Sequence, residues 1–206
     1  MRLAIFGGTF DPVHDAHLRL AREAAREFGL ARVLFIPAGR PPHKRGATSA
    51  GYQDRYRMVE LACQGEPLLE PSRIEAGSRM SYSIHTIEKV KAGLDPGDQV
   101  YFLIGADAFA EVQTWYRWKS VLDEVDFIVA ARPGHDYLIP PGARVHRMEA
   151  LALPVSSSDI RRRLAAGESP AEVPRAVLEY IWGKGLYGTR VRRVRGRARG
   201  SARRKY

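Results

Sequence analysis

Residues 7–17, GGTFDPVHDAH, place two glycines, a proline and two histidines directly after the apolar run RLAIF. Glycine at the end of a strand lets a ligand approach the backbone, and the N–H groups opening the next helix favour anions. His14 and His17 stand about one helical turn apart, so both rings can face one point. Imidazoles at such a point donate hydrogen bonds to phosphate and, when protonated, add charge. A zinc site of the H-E-x-x-H kind requires a different spacing and an intervening Glu, and neither is present. A phosphate site and a pair of merely packing histidines remain as readings.

The elements that must position these residues alternate between strand and helix, which predicts a Rossmann-like, doubly wound α/β fold: a mostly parallel sheet with helices on both faces. RLAIFGG (2–8), ARVLFIPA (31–38), QVYFLIGAD (99–107) and VDFIVAARPG (125–134) read as apolar strands. LLEPSRIEA (68–76) is a weak extended segment, and ARVHRMEALALPV (143–155) a further strand region. Helices are expected over 15–28, 53–64, from Ser81 or Ser83 to about residue 91, in short pieces over 108–124, over 156–167 and over 174–182. In such a sheet ligands bind beyond the carboxyl ends of the strands. Gly7, Gly8, the 41–44 loop, Gly105, Asp107 and Arg132 all fall there.

Composition sets the outer bounds. With 45% hydrophobic and 27% charged residues in 206, the chain suits one sizeable soluble α/β domain. No apolar run approaches the roughly 20 residues of a membrane span, and no signal-peptide pattern opens the chain. The single cysteine, Cys63, falls on an apolar helical face and reads as packing, so the expected location is the cytoplasm. Of the net charge of +10, residues 190–206 supply +9, leaving +1 for residues 1–189. The division is therefore a folded domain over 1–189 and a basic extension over 190–206, too Arg- and Gly-rich to bury a core. That extension suits contact with nucleic acid or another polyanion, or is a plain solvated tail. GKGLYG (183–188) satisfies G-x-G-x-x-G literally but follows a helix instead of a strand, and no P-loop pattern is present.

GGTFDPVHDAH resembles the signature of the nucleotidylyltransferase superfamily, with Ala16 where a glycine is usual in the histidine element. The resemblance is closest to the bacterial nicotinate-nucleotide adenylyltransferases. PPHK (41–44), SYSIHTI (81–87), IGADAF (104–109), FIVAARPG (127–134) and VSSSDIRRRL (155–164) follow in that family's order. It implies transfer of the AMP part of ATP to nicotinate mononucleotide, releasing pyrophosphate, with Mg2+ carried by the ATP. It further implies that Gly8, Thr9, Phe10, His14, His17, Lys44, Gly105, Asp107, Arg132, Ser157 and Arg161 bind ATP, with His14, His17, Lys44 and Arg161 acting on the reacting phosphates. Thr86, Trp115 and Tyr116 are implied at the nicotinate end, and no metal is expected to be held by a dedicated protein cage. The same machinery would suit nicotinamide mononucleotide or phosphopantetheine as acceptor. A nucleic-acid-binding module acting through the tail is the reading of a different class. Oligomeric state is not legible.

Overall fold

The computed structural model describes residues 1–40, 49–77, 80–132, 134, 136–149 and 155–190. The strands are β1 (Arg2–Gly8), β2 (Arg32–Pro37), β3 (Leu69–Pro71), β4 (Gln99–Gly105), β5 (Asp126–Ala131) and β6 (Val145–Glu149). The helices are α1 (Asp15–Phe28), α2 (Tyr52–Ala62), α3 (Ser83–Lys91), α4 (Ala106–Ala110), α5 (Trp118–Glu124), α6 (Ser157–Ala165) and α7 (Arg175–Lys184). The sheet runs β3-β2-β1-β4-β5-β6, and every pairing is parallel. From β1 the chain winds outward through β2 to β3, then returns to β4 on the other side of β1. The strand order therefore reverses between β1 and β4, which opens a crevice beyond their carboxyl ends.

Alternation along β1 shows why the strands read as unbroken apolar runs. Leu3 and Ile5 point into a core shared with Ile84 and Ile87 of α3, Phe109 of α4 and Val121 of α5. Ala4 and Phe6 point the other way, to Leu18 and Ala21 of α1, Met58 of α2, Ile160 of α6 and Val177 of α7. A parallel sheet covered on both faces has no polar side to display. Each fully buried side chain of this size contributes about 1.5–3 kcal/mol, so the strands are held from both sides.

Helix ends follow local chemistry. α1 stops at Gly29, whose left-handed φ of 60° suits glycine. Ser156 caps α6 by accepting a hydrogen bond from the Asp159 N–H. α2 ends at Ala62, so Cys63 is its C-terminal cap, buried, with its thiol pushed up to about 12 by that burial. The weak segment 68–76 contains the three-residue β3, and the 143–155 region contains β6, with residues 150–154 outside the described residues. The basic extension lies outside them from residue 191 onward. Among the described residues no helix is long and apolar enough to cross a membrane.

Candidate active site

The turn leaving β1 is built tightly. A Cβ added at Gly8 would stand 2.9 Å from the Phe10 ring, so this position excludes any side chain. Phe10 adopts a left-handed φ of 50°, which swings its ring into the core against Phe6 and Phe35 at 5.5 and 5.4 Å. Phe10 thus has its side chain in the core and only its backbone at the turn. Arg55, 1% exposed, holds this turn from α2. It donates to Thr9 O at 2.8 Å, Ala38 O at 2.7 Å and Ala50 O at 3.3 Å. Buried Asp11 accepts from the Ser49 N–H at 2.7 Å, the Ala50 N–H at 3.1 Å and the Tyr187 hydroxyl at 2.7 Å.

His14 is the N-cap of α1, and its backbone N–H donates to His17 Nδ1 at 3.2 Å. Their rings lie 3.8 Å apart. His17 keeps part of its surface but is crowded by Phe10 at 5.1 Å and Phe6 at 6.0 Å. Burial, and then the neighbouring His14, hold its pKa well below the ordinary histidine value. Burial pushes His14 down to about 4, with Glu172 opposing. Both rings are therefore neutral near pH 7, and the protonated, charge-adding form allowed by the sequence is not the resting one. Because His17 Nδ1 accepts a hydrogen bond, its proton is assigned to Nε2, leaving an N–H to donate. His14 Nδ1 is buried without a partner among the described residues.

α6 is stitched to the same turn. Ser157, the first residue of the helix, donates to Pro12 O at 3.0 Å, and Arg161 donates through Nη1 to Asp11 O at 2.8 Å. The helix opening, one guanidinium and the histidine pair thereby meet around Asp11–Pro12.

On the other side of Gly8 and Thr9 lies a cavity of about 520 Å³. Ile5, Ile36, Phe102 and Ile104 form its apolar base, and Glu75, Tyr82, Thr86, Trp115 and Tyr116 rise around it. The Trp115 ring meets Phe102 edge-on at 5.7 Å. Thr86 Oγ1 donates to Glu75 Oε1 at 2.6 Å, and Glu75 Oε2 accepts from the Gly39 N–H at 3.1 Å. Thr86 stands on the cavity wall with its hydroxyl directed at Glu75 and, at 3.4 Å, near the Tyr82 carbonyl. Among the described residues the N–H groups of Tyr116 and Arg117 have no main-chain partner.

Of the residues singled out in the sequence, Gly8, Thr9, Thr86, Trp115 and Tyr116 share the cavity wall. His14, His17, Ser157 and Arg161 gather at the adjoining turn. Gly105 ends β4, Asp107 lies in the first turn of α4 and Arg132 follows β5, all at the carboxyl edge of the sheet but off the cavity wall. Lys44 is outside the described residues. Sequence reasoning passed over Arg55, Asp11 and Glu75. Arg55 alone carried a signal, since it occupies the buried stripe of Met58, Val59 and Ala62. No group of three His, Cys, Asp or Glu side chains suited to a metal occurs among the described residues.

Comparison with known proteins gives a consistent set of relatives. The cytidylyltransferase-like family model matches residues 5–163. A protein of Solibacter usitatus named "Probable nicotinate-nucleotide adenylyltransferase" is 59% identical, the match covering 91% of this chain and all of the relative. One of the same name from Moorella thermoacetica is 39% identical over 92% of this chain and 93% of its own. Among solved structures, the Plasmodium falciparum nicotinic acid mononucleotide adenylyltransferase complexed with NaAD superposes with a TM-score of 0.75. That match covers 93% of this chain and 99% of the other at 19% identity, a likeness of fold.

Proposed function

This chain belongs to the cytidylyltransferase-like family, among its nicotinate-nucleotide adenylyltransferases, and from that premise we propose how its crevice performs the reaction. The reaction joins nicotinate mononucleotide to the AMP part of ATP, giving nicotinate adenine dinucleotide and pyrophosphate. One observation carries the assignment of roles: an aromatic-walled cavity of about 520 Å³ adjoins a glycine turn flanked by two neutral histidines and a stitched-down helix opening.

The 5′-phosphate of the mononucleotide attacks the α-phosphorus of ATP directly. Such a step needs two polyanions held in line and their developing charge stabilised, with little covalent assistance. The Gly8–Thr9 turn and the backbone of Phe10 accept the approach of phosphate. His17 donates from Nε2, and because the ring is neutral it does so at no expense of a buried charge. His14 fixes the His17 tautomer through its backbone N–H. Arg161 and the first N–H groups of α6 receive the β- and γ-phosphates, and Lys44 adds a cation. Asp107, beyond Gly105, takes a ribose hydroxyl, and Arg132 is an outer phosphate contact. Trp115 stacks on the pyridine ring. The ring's carboxylate goes to the N–H groups of Tyr116 and Arg117, the donors that the Thr86–Glu75 bond leaves available.

Mg2+ carried by ATP would supply phosphate-charge neutralisation beside Arg161 and His17, with no carboxylate cage required of the protein. A folded unit over 1–189 with a basic extension over 190–206, working in the cytoplasm, completes the reading. Pyrophosphate release measured with nicotinate mononucleotide, nicotinamide mononucleotide and phosphopantetheine tests the acceptor. The acid is expected to be the best of the three, and equal or higher efficiency with either rival overturns the choice. Full rates after deletion of residues 190–206 would make the basic tail accessory to the reaction.

A further inference from the structure

Glu75 is the unexplained residue of the cavity. Among the described residues it is the one charged side chain on the wall. It is only 8% exposed, and its carboxylate is fixed by two neutral donors, the Thr86 hydroxyl and the Gly39 N–H. Arg55 lies within electrostatic reach of it, but among the described residues no cation is in ion-pair contact with it. Arg55 gives its N–H groups to the carbonyls of Thr9, Ala38 and Ala50 instead. A buried carboxylate whose contacts are neutral donors is costly to keep. Here it faces a cavity floored by Ile36, Phe102 and Ile104, where low polarity strengthens its field.

We infer that Glu75 is a specificity-determining residue that selects ligands carrying a cationic aromatic ring, with the bound pyridinium supplying a positive charge beside its carboxylate. This rests on the reading above that the cavity takes a pyridine mononucleotide. In such a nucleotide the ring nitrogen bonded to ribose bears a formal positive charge, whether the ring substituent is acid or amide. The ring therefore lies with its nitrogen edge toward Glu75 and its substituent toward Tyr116, which keeps a nicotinate carboxylate away from the like charge. Selection between acid and amide then belongs to the N–H groups at Tyr116 and Arg117, and selection for ring charge belongs to Glu75. The two are separable.

The test compares oxidised nicotinate and nicotinamide mononucleotides with the 1,4-dihydro form of nicotinamide mononucleotide, whose ring is nearly the same shape but neutral. Binding is read by calorimetry, and turnover by pyrophosphate release. The wild-type protein is expected to bind oxidised nicotinamide mononucleotide at least about tenfold more tightly than the reduced form. Glu75→Gln keeps the size and one acceptor. It is expected to weaken both oxidised ligands about tenfold or more and to leave the reduced one within about twofold. Thr86→Val removes a hydroxyl but no charge, so it should preserve the preference for the oxidised ring. Equal wild-type affinity for oxidised and reduced ligand overturns the inference without any variant. Equal weakening of all three in Glu75→Gln assigns the residue a structural part and overturns it as well. If the wild-type protein adenylates neither oxidised mononucleotide, the acceptor assignment itself fails, a result distinct from either.

Discussion

Lowering the pH should expose the cost of keeping His14 neutral. An unfolded chain protonates this histidine near 6.5, whereas burial holds the folded value near 4. Between those values the unfolded state binds about one more proton than the folded state, so stability rises with pH at about 1.4 kcal/mol per pH unit. The contribution is therefore complete above 6.5 and is lost as pH falls toward 4. Between pH 6.5 and 5 the loss should be about 2 kcal/mol, a large fraction of a typical domain's stability. His17 is depressed in the same direction and adds to the slope. The lowered carboxylates, Asp126, Glu66 and Glu172, release their contributions at lower pH, below this window. Urea unfolding across the window, on wild type and His14→Gln, isolates the residue. The variant retains the backbone N–H that donates to His17 Nδ1, so its slope should be shallower by about one proton, or about 1.4 kcal/mol per pH unit. Identical slopes for the two proteins would refute the neutral, buried state of His14.

The other expectations concern single side chains. Arg55→Ala leaves three backbone carbonyls without their donor and should cost about 3 kcal/mol or more in chemical denaturation, with a loss under about 1 kcal/mol counting against the clamp. His17→Ala should reduce turnover by about a hundredfold or more while lowering stability by only about 1 kcal/mol, and an unchanged rate would remove it from the phosphate site. Trp115→Ala should raise the KM for the mononucleotide about tenfold and leave the KM for ATP near its wild-type value; a rise in both would mean that the ring serves packing with Phe102 instead.

The sheet was legible because its chemistry is local. β1, β4 and β5 are buried on both faces, and a residue pair such as Leu3 and Ala4 shows no polar alternation to confuse the reading. The glycine turn and the histidine pair were legible for a similar reason, since their geometry is set within eleven residues. β3 was faint because three residues carry too little pattern, and it exists only through pairing with β2. Glu75 could not be read, because its burial depends on Thr86 and Gly39 arriving from α3 and the end of β2. Asp11 gave no signal, because its partners Ser49, Ala50 and Tyr187 are distant in sequence. Thr86 lies on the cavity wall, and the direction of its hydroxyl depends on an acid that the pattern did not reveal.

The polar groups of the site divide by where their charge is answered. Arg55 and Asp11 lie behind the turn, and their hydrogen bonds run to the protein itself, so they set geometry and have little left for a ligand. His14 and His17 lie at the turn and are neutral, so an incoming phosphate meets donors without first having to displace a tightly held anion. Glu75 is different, since its hydrogen bonds among the described residues come from neutral donors that line a cavity. Solvent entering the cavity would screen it in the free protein, and a flat apolar ring that expels such solvent would leave it against a low-polarity wall. A neutral ring thus makes the free-energy balance worse, whereas a cationic ring brings its own compensation. The stability lost by burying a carboxylate held through neutral donors would in this way be converted into discrimination at the moment of binding, which is where a fixed, preorganised charge has the greatest effect.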